Sequence, residues 1–244
     1  MRSFSFKTFS SQLRHLLILT LLSIGTASGS LIFNDAAFDD SQWSAASFGT
    51  GGFSFTAAQQ ASGGNTGSFR RVDHDVTGPP VSMRVVHLRN DASYTPILEG
   101  EIVSLDFSID FLNIDIFGQG QNFGVAILQN GNYYYGSSQI TAPGGAIWTP
   151  GTATNLGAVD FIEILADAST NNSSHPDFSI TGSTIIFGFT TANITGFSGS
   201  IDVGYDNWSV SHAAVVPEPS TSFVFFAFAF YGICSRPRRR RALG

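Results

Sequence analysis

Between residues 30 and 212 the chain has no lysine and only four basic side chains, Arg70, Arg71, Arg84 and Arg89. Seventeen carboxylates stand against them, which gives that stretch a net charge of −13. A surface so short of cations repels phosphate backbones and anionic lipid, which excludes nucleic acid as a partner. Cysteine is nearly absent as well. The single one, Cys234, lies close to the C-terminus. No disulfide can therefore staple the central region, and its core alone must hold the fold.

Other absences narrow the chemistry. Gly118-Gln119-Gly120 begins like a dinucleotide motif, but Phe123 stands where the third glycine belongs, and a phosphate-binding loop lacks its Gly-Lys pair. No Gly-x-Ser-x-Gly elbow is present for a serine hydrolase. His74, His87, His175 and His212 are scattered without the spacing of zinc ligands. No amphipathic helical period and no fixed-length repeat stand out, and the missing repeat argues against the alternative of a β-helix.

What is present is alternation with period two. From Val103 to Phe111 every odd position is apolar and every even one is Ser or Asp, as in a strand with one buried and one wet face. Phe53-Ser54-Phe55-Thr56 repeats this on a smaller scale. Residues 81–88 and 123–128 are more continuously apolar and predict central strands. Asn130-Gly131, just before Tyr133-Tyr134-Tyr135, predicts a two-residue hairpin because both positions tolerate positive φ. Further strands are expected over 159–165, 184–190 and 200–210. Gly- and Ser-rich stretches at 49–52, 62–67 and 144–145, and the Ser/Asn-rich 168–176, punctuate these runs. Some ten short strands with abundant Gly and Phe predict an all-β fold, a two-sheet antiparallel jelly-roll sandwich.

The two ends read differently. Arg2, Lys7 and Arg14 precede an apolar core from Leu16 to Ile24 and the small residues Gly25 to Gly29. This predicts a secretory signal peptide over 1–29, too short to span a bilayer. The ectodomain then covers 30–212, with a linker and Pro-Glu-Pro motif at 213–219. Residues 220–235 form an uncharged apolar run, about 24 Å long as a helix, which falls short of a hydrocarbon core of about 30 Å. Arginines at 236 and 238–241 predict a cytoplasmic basic tail over 236–244, which leaves the ectodomain outside.

Val216-Pro217-Glu218-Pro219-Ser220, the apolar segment and the arginine block, in that order, resemble the PEP-CTERM sorting signal of bacterial envelope proteins. That resemblance implies an exosortase-type protease as processing partner. The chain would be anchored in the inner membrane before cleavage and placed afterwards in the envelope or extracellular matrix. Removal of a hydrophobic tail follows the logic of a GPI signal. The Phe-rich apolar segment is shorter than the family's pattern, and an uncleaved membrane anchor is the alternative.

The ectodomain offers residues for three kinds of site. Asp106 and Asp110 share a strand face about 13 Å apart, beyond the roughly 5–9.5 Å that separates glycosidase carboxylates. Glu99 and Glu101 come within that range, but they flank Gly100 at a strand entrance where acids are commonly just solvated. For a structural calcium ion the expected ligands are Asn34 and Asp35 near the start and Asp202 and Asp206 near the end, with Asp39, Asp40 and Asn207 nearby. Ordinary Asp/Asn turn chemistry is the competing reading. Tyr205-Asp206-Asn207-Trp208-Ser209-Val210 is similar to the final strand of jelly-roll carbohydrate-binding modules, some of which clamp their terminal strands with such an ion. For polysaccharide, the candidate stacking rings are Tyr133, Tyr134, Tyr135 and Trp148. The alternative for each ring is a place in the core. Arg70 and Arg71 are expected to face opposite ways, one paired with a surface carboxylate.

The resulting expectation is an exported, non-catalytic β-sandwich that associates with extracellular polysaccharide. A structural matrix protein without a specific ligand and a secreted glycan-acting enzyme are the alternatives.

Overall fold

The computed structural model describes residues 29–114, 120–137, 139–141, 147–195 and 198–215. The predicted signal peptide and the sorting residues Val216, Pro217, Glu218, Pro219 and Ser220, with the apolar run and arginine block after them, lie outside the described residues. Among the described residues no helix is long and apolar enough to cross a membrane.

The fold is all-β, with twelve antiparallel strands. They are β1 (Gly29–Asp35), β2 (Trp43–Gly64), β3 (Gly67–Tyr94), β4 (Glu101–Asn113), β5 (Asn122–Gln129) and β6 (Asn132–Gly136). Then follow β7 (Ile140–Thr141), β8 (Thr149–Leu156), β9 (Phe161–Ile164), β10 (Thr170–Asn171), β11 (Ile185–Thr195) and β12 (Gly199–Val215). Among the described residues one short α-helical turn, Pro96–Glu99, and two 3-10 turns, Asp40–Gln42 and Ala158–Asp160, interrupt them. The alternation emerges in β4 from Leu105 to Phe111, where apolar residues are buried in turn with half-buried or exposed Ser and Asp, while Val103, the residue skipped where the β12 register shifts, is exposed. Asn130 and Gly131 take φ of 53° and 81° between β5 and β6, as a tight hairpin requires.

One expectation needs correction. The strands form one continuous curled sheet rather than two separate ones. The reason is the β2–β3 ribbon, which runs unbroken from one side of the core to the other. The Gly-rich 49–52 stretch, expected to separate strands, is instead the bend in that ribbon. The register shifts there, Gly51 has φ of 87°, and the ladder skips Pro79 and Pro80, which have no N–H to donate.

The ribbon thus divides the sheet into two facing layers. Layer A carries β8, β4 and β12, flanked by β1, the first half of β3 and the second half of β2. Layer B carries the first half of β2 and the second half of β3, then β11, β5, β6, β9 and β10. Rings from both layers meet between them: Phe111 lies 4.9 Å from Phe123, and Phe189 lies 5.1 Å from Tyr205. Trp43 meets Trp208 at 5.3 Å. Each such side chain, fully buried, contributes about 1.5–3 kcal/mol of apolar transfer, which is how the fold stands without a disulfide.

A hydrogen-bonded chain of polar groups threads this interior. His74 Nδ1 lies 2.6 Å from Asn193 Oδ1, and its Nε2 lies 3.0 Å from the Thr191 hydroxyl. His87 Nε2 reaches the same hydroxyl at 3.3 Å. Asn193 donates its amide to Gly120 O, so its oxygen must accept. One proton assignment then fits throughout: His87 Nε2–H donates to Thr191, Thr191 donates to His74 Nε2, and His74 Nδ1–H donates to Asn193. Both imidazoles are neutral. Burial pushes His74 down to about 4, and burial followed by the Arg70 charge holds His87 well below the usual histidine range.

Candidate functional site

The outer face of layer A is built from the residues that alternate away from the core. On β12 the inward series Ile201, Val203 and Tyr205 leaves Asp202, Gly204 and Asp206 outward. On β3 the outward series is Phe69, Arg71 and Asp73, and on β4 it is Asp106, Ser108 and Asp110. Gly204 has no side chain, and that space is taken by a ring from elsewhere. Trp148, just ahead of β8, lies across it. A Cβ at Gly204 would stand 3.0 Å from both the Trp148 and Phe69 rings. The indole meets Phe69 edge-on at 5.4 Å and donates its N–H to Gly63 O at 3.2 Å.

The turn joining β2 to β3 is tied down on its other side. Between Asp206 and Ser209 the register of β12 slips against β4, and Asn207 adopts φ of 51°. This bulge puts two successive polar side chains beside the turn. Asp206 accepts from Thr66 N at 3.1 Å and Asn207 N at 2.7 Å. Asp110 accepts from the side-chain amides of Asn65 at 2.7 Å and Asn207 at 2.8 Å. Burial raises the Asp206 carboxyl, opposed by the surrounding backbone N–H groups and reinforced by Asp110. On the far side of Gly204, Arg71 grips Asp202, with Nε 2.9 and 2.8 Å from its two oxygens. Asp202 and Asp206 lie two residues either side of Gly204, each about 7 Å along the strand. The result is a half-buried indole on a polar, acidic floor, with a guanidinium at one end and amides at the other.

The expected calcium ligands are not brought together. Asp35 accepts from Ala37 N, Phe38 N and Trp43 Nε1 and is ion-paired with Arg89. Asn34 is exposed one residue away. Asp202 is held by Arg71, and Asp206 by the 65–67 turn. Among the described residues no three His, Cys, Asp or Glu side chains converge. Turn and ion-pair chemistry engages the Asp35, Asp202 and Asp206 carboxylates.

The tyrosine cluster also needs correction. Tyr134 points into the core between the layers and is 5% exposed, so it offers no free face. Tyr135 is 9% exposed, packed with Val86, Leu88, Ala126 and Ile164 on the outer face of layer B. Tyr133, on that same face, is half-buried against Phe48 at 5.1 Å. Phe48 belongs to β2 at one edge of layer B and Tyr133 lies near the other edge, while Gly49 N donates to Ala166 O at 3.1 Å. The layer therefore curls outward until its edges touch, and the curl swallows the rings. Arg70 and Arg71 do face opposite ways, but both are paired, Arg70 with Asp40 at 2.9 Å and Arg71 with Asp202. Asp106 and Asp110 are engaged separately, Asp106 accepting from Asn155 N.

Little in the sequence announces Asn65 or Thr66, or that Asp110 faces them. The only signal was the Gly63-Gly64-Asn65-Thr66-Gly67 composition, which announces a turn but not the strand it folds over.

No protein-family model matches the chain, and no curated protein matches it. Among solved structures it is similar to a family 11 carbohydrate-binding module from Clostridium thermocellum in complex with a β-1,3-1,4-mixed-linked tetrasaccharide. That match has a TM-score of 0.43 and 16% identity, over 75% of this chain and 96% of that one. A protein of unknown function from Shewanella oneidensis MR-1 matches at 0.42 and 15%, over 90% and 99%. The C-terminal family 22 carbohydrate-binding module of Clostridium thermocellum Xyn10B matches at 0.40 and 12%, over 76% and 96%. All three TM-scores lie below 0.5, so the chemistry of the site rests on this chain's own side chains.

Proposed function

We propose that residues 30–212 are an exported, non-catalytic module that binds extracellular polysaccharide through the Trp148 face of layer A. The observation that supports this most is the indole itself. It is wedged over Gly204 by Phe69, pinned through its N–H, and ringed by Arg71, Asp202, Asn65 and Asp110. A planar ring stacks on the apolar face of a pyranose, and the polar fringe orients hydroxyls. The floor is shallow, so affinity is micromolar or weaker, at most about 8 kcal/mol. A glycan array of the mature protein tests this, with retention of at least one neutral polysaccharide expected.

The sorting part of the proposal rests on the sequence of the tail. An exosortase-type protease cuts near Val216–Ser220 and releases the module from the inner membrane to the envelope or matrix. Replacing Pro217, Glu218 and Pro219 with alanine should leave the full-length protein in the inner membrane. Envelope protein that still ends at Gly244 would contradict it. The burial of Tyr134 and Tyr135 favours the second reading, a structural matrix protein, if the array retains nothing.

A further inference from the structure

Three of the four arginines between residues 30 and 212 have a carboxylate. Arg70 has Asp40, Arg71 has Asp202, and Arg89 has Asp35 and Asp91. Arg84 has none among the described residues, in a stretch that offers seventeen acids. Its side chain leaves β3 on the outer face of layer B, where Arg84 is in register with Ala192 of β11 and, beyond it, Asn122 of β5. It crosses both strands to reach β6. The guanidinium lies 3.7 Å above the Tyr135 ring, and Nη1 donates to Gln139 Oε1 at 3.0 Å. Gln139 is itself held by Gly136 O at 3.1 Å. Small or short side chains line the way, Thr190 and Ala126 among them, both fully buried.

Desolvating a guanidinium costs free energy, and the ring face returns part of it. Burial depresses the arginine's proton affinity, and its Nε is sealed without a partner. A cation has been positioned, oriented and left without its anion. The half-buried rings of Tyr133 and Phe48 lie on the same concave face, 5.1 Å apart. We infer that Arg84, seated on Tyr135, is a carboxylate-recognition point on the concave face of layer B, and that its ligand is a uronic acid unit of a glycan. The planar fork of a guanidinium matches a carboxylate in bidentate fashion. One cation without a lysine or second arginine suits a monoanion better than a phosphate dianion. The choice of a sugar acid over other monoanions rests on the polysaccharide reading proposed above. The charge of −13 repels a dense polyanion, so the fitting polymer carries isolated carboxylates among neutral sugars. This point is separate from the Trp148 face.

The test is titration calorimetry of the full-length protein in detergent with three probes. They are a tetrasaccharide of three neutral sugars and one glucuronic acid, its methyl ester, and a tetrasaccharide of neutral sugars alone. The acid should bind at least tenfold tighter than either other probe. Arg84→Gln should erase that preference with the melting transition retained, and Arg84→Lys should restore only part of it. Trp148→Ala should leave the preference intact, which separates this point from the layer A site. Equal binding of acid and ester by the wild-type protein overturns the inference whatever the variants do. So does a preference that survives in Arg84→Gln, or a poly-glutamate peptide that binds as tightly as the acid, which would mark an acidic peptide site.

Discussion

The two outer faces are made by the same alternation and end up opposite in character. On layer A the outward residues of β12 are Asp202, Gly204 and Asp206, and the layer stays open enough for Trp148 to lie on it half-buried. On layer B the centres of β11 and β5 present Gly188, Thr190, Gly124 and Ala126, with Ile186 and Leu128 at one end, and the large residues Phe48, Tyr133 and Tyr135 stand toward the rims. Small residues in the middle and large ones outside let the edges curl together, and the rings pack on one another. Alternation decides which side of a sheet a ring takes. Curvature decides whether that side sees water.

Truncating rings separates the faces most strongly. Tyr134→Ala and Tyr135→Ala should each cost about 3–5 kcal/mol in urea unfolding, as other large buried aromatics do. Trp148→Ala should cost about 1 kcal/mol or less, since its ring is half-exposed. Equal losses at Tyr135 and Trp148 would erase the distinction.

Acid tests the layer between the faces. His74 is held near 4 when folded, against an ordinary value of 6.5. Below pH 6.5 the unfolded chain takes up a proton that the folded chain refuses, so stability falls as pH drops toward 4. His74 alone should account for about 3 kcal/mol of that loss, and His87 adds to it in the same direction. Unfolding curves at pH 7 and pH 4.5 check this, and His74→Gln should flatten the slope.

Gly204→Ala sharpens the comparison from the other side. The added methyl meets Trp148 and Phe69 at 3.0 Å, so the indole must shift. Glycan affinity should fall several-fold while stability changes by about 1 kcal/mol or less. Arg71→Ala should have the smallest effect on folding. It frees Asp202 from an ion pair whose arginine side chain is 47% exposed, and such pairs contribute about 0–1 kcal/mol.

The strands of this fold were legible because burial on one face imposes a two-residue period, and β4 is the plain case. The hairpin after β5 was legible because Asn-Gly has a backbone reason to be there. The continuity of the β2–β3 ribbon was not, since glycines that usually end strands here bend one. The calcium expectation counted oxygens from composition, which does not show what they are bonded to. Asp35 and Asp202 had arginine partners 54 and 131 residues away in the chain. Trp148 could be singled out as a ring, but its place over Gly204 depends on pairing between strands far apart in sequence.

Neutral polysaccharide is to be received by the ring on layer A and not by those on layer B, whose proposed ligand is a carboxylate at Arg84. Affinity electrophoresis of Trp148→Ala and Tyr133→Ala in a gel containing a polysaccharide retained on the array tests it most directly. Trp148→Ala should weaken retention at least tenfold, about 1.4 kcal/mol, with its melting transition intact, while Tyr133→Ala is retained like the wild-type protein. Retention lost in Tyr133→Ala and preserved in Trp148→Ala would contradict it.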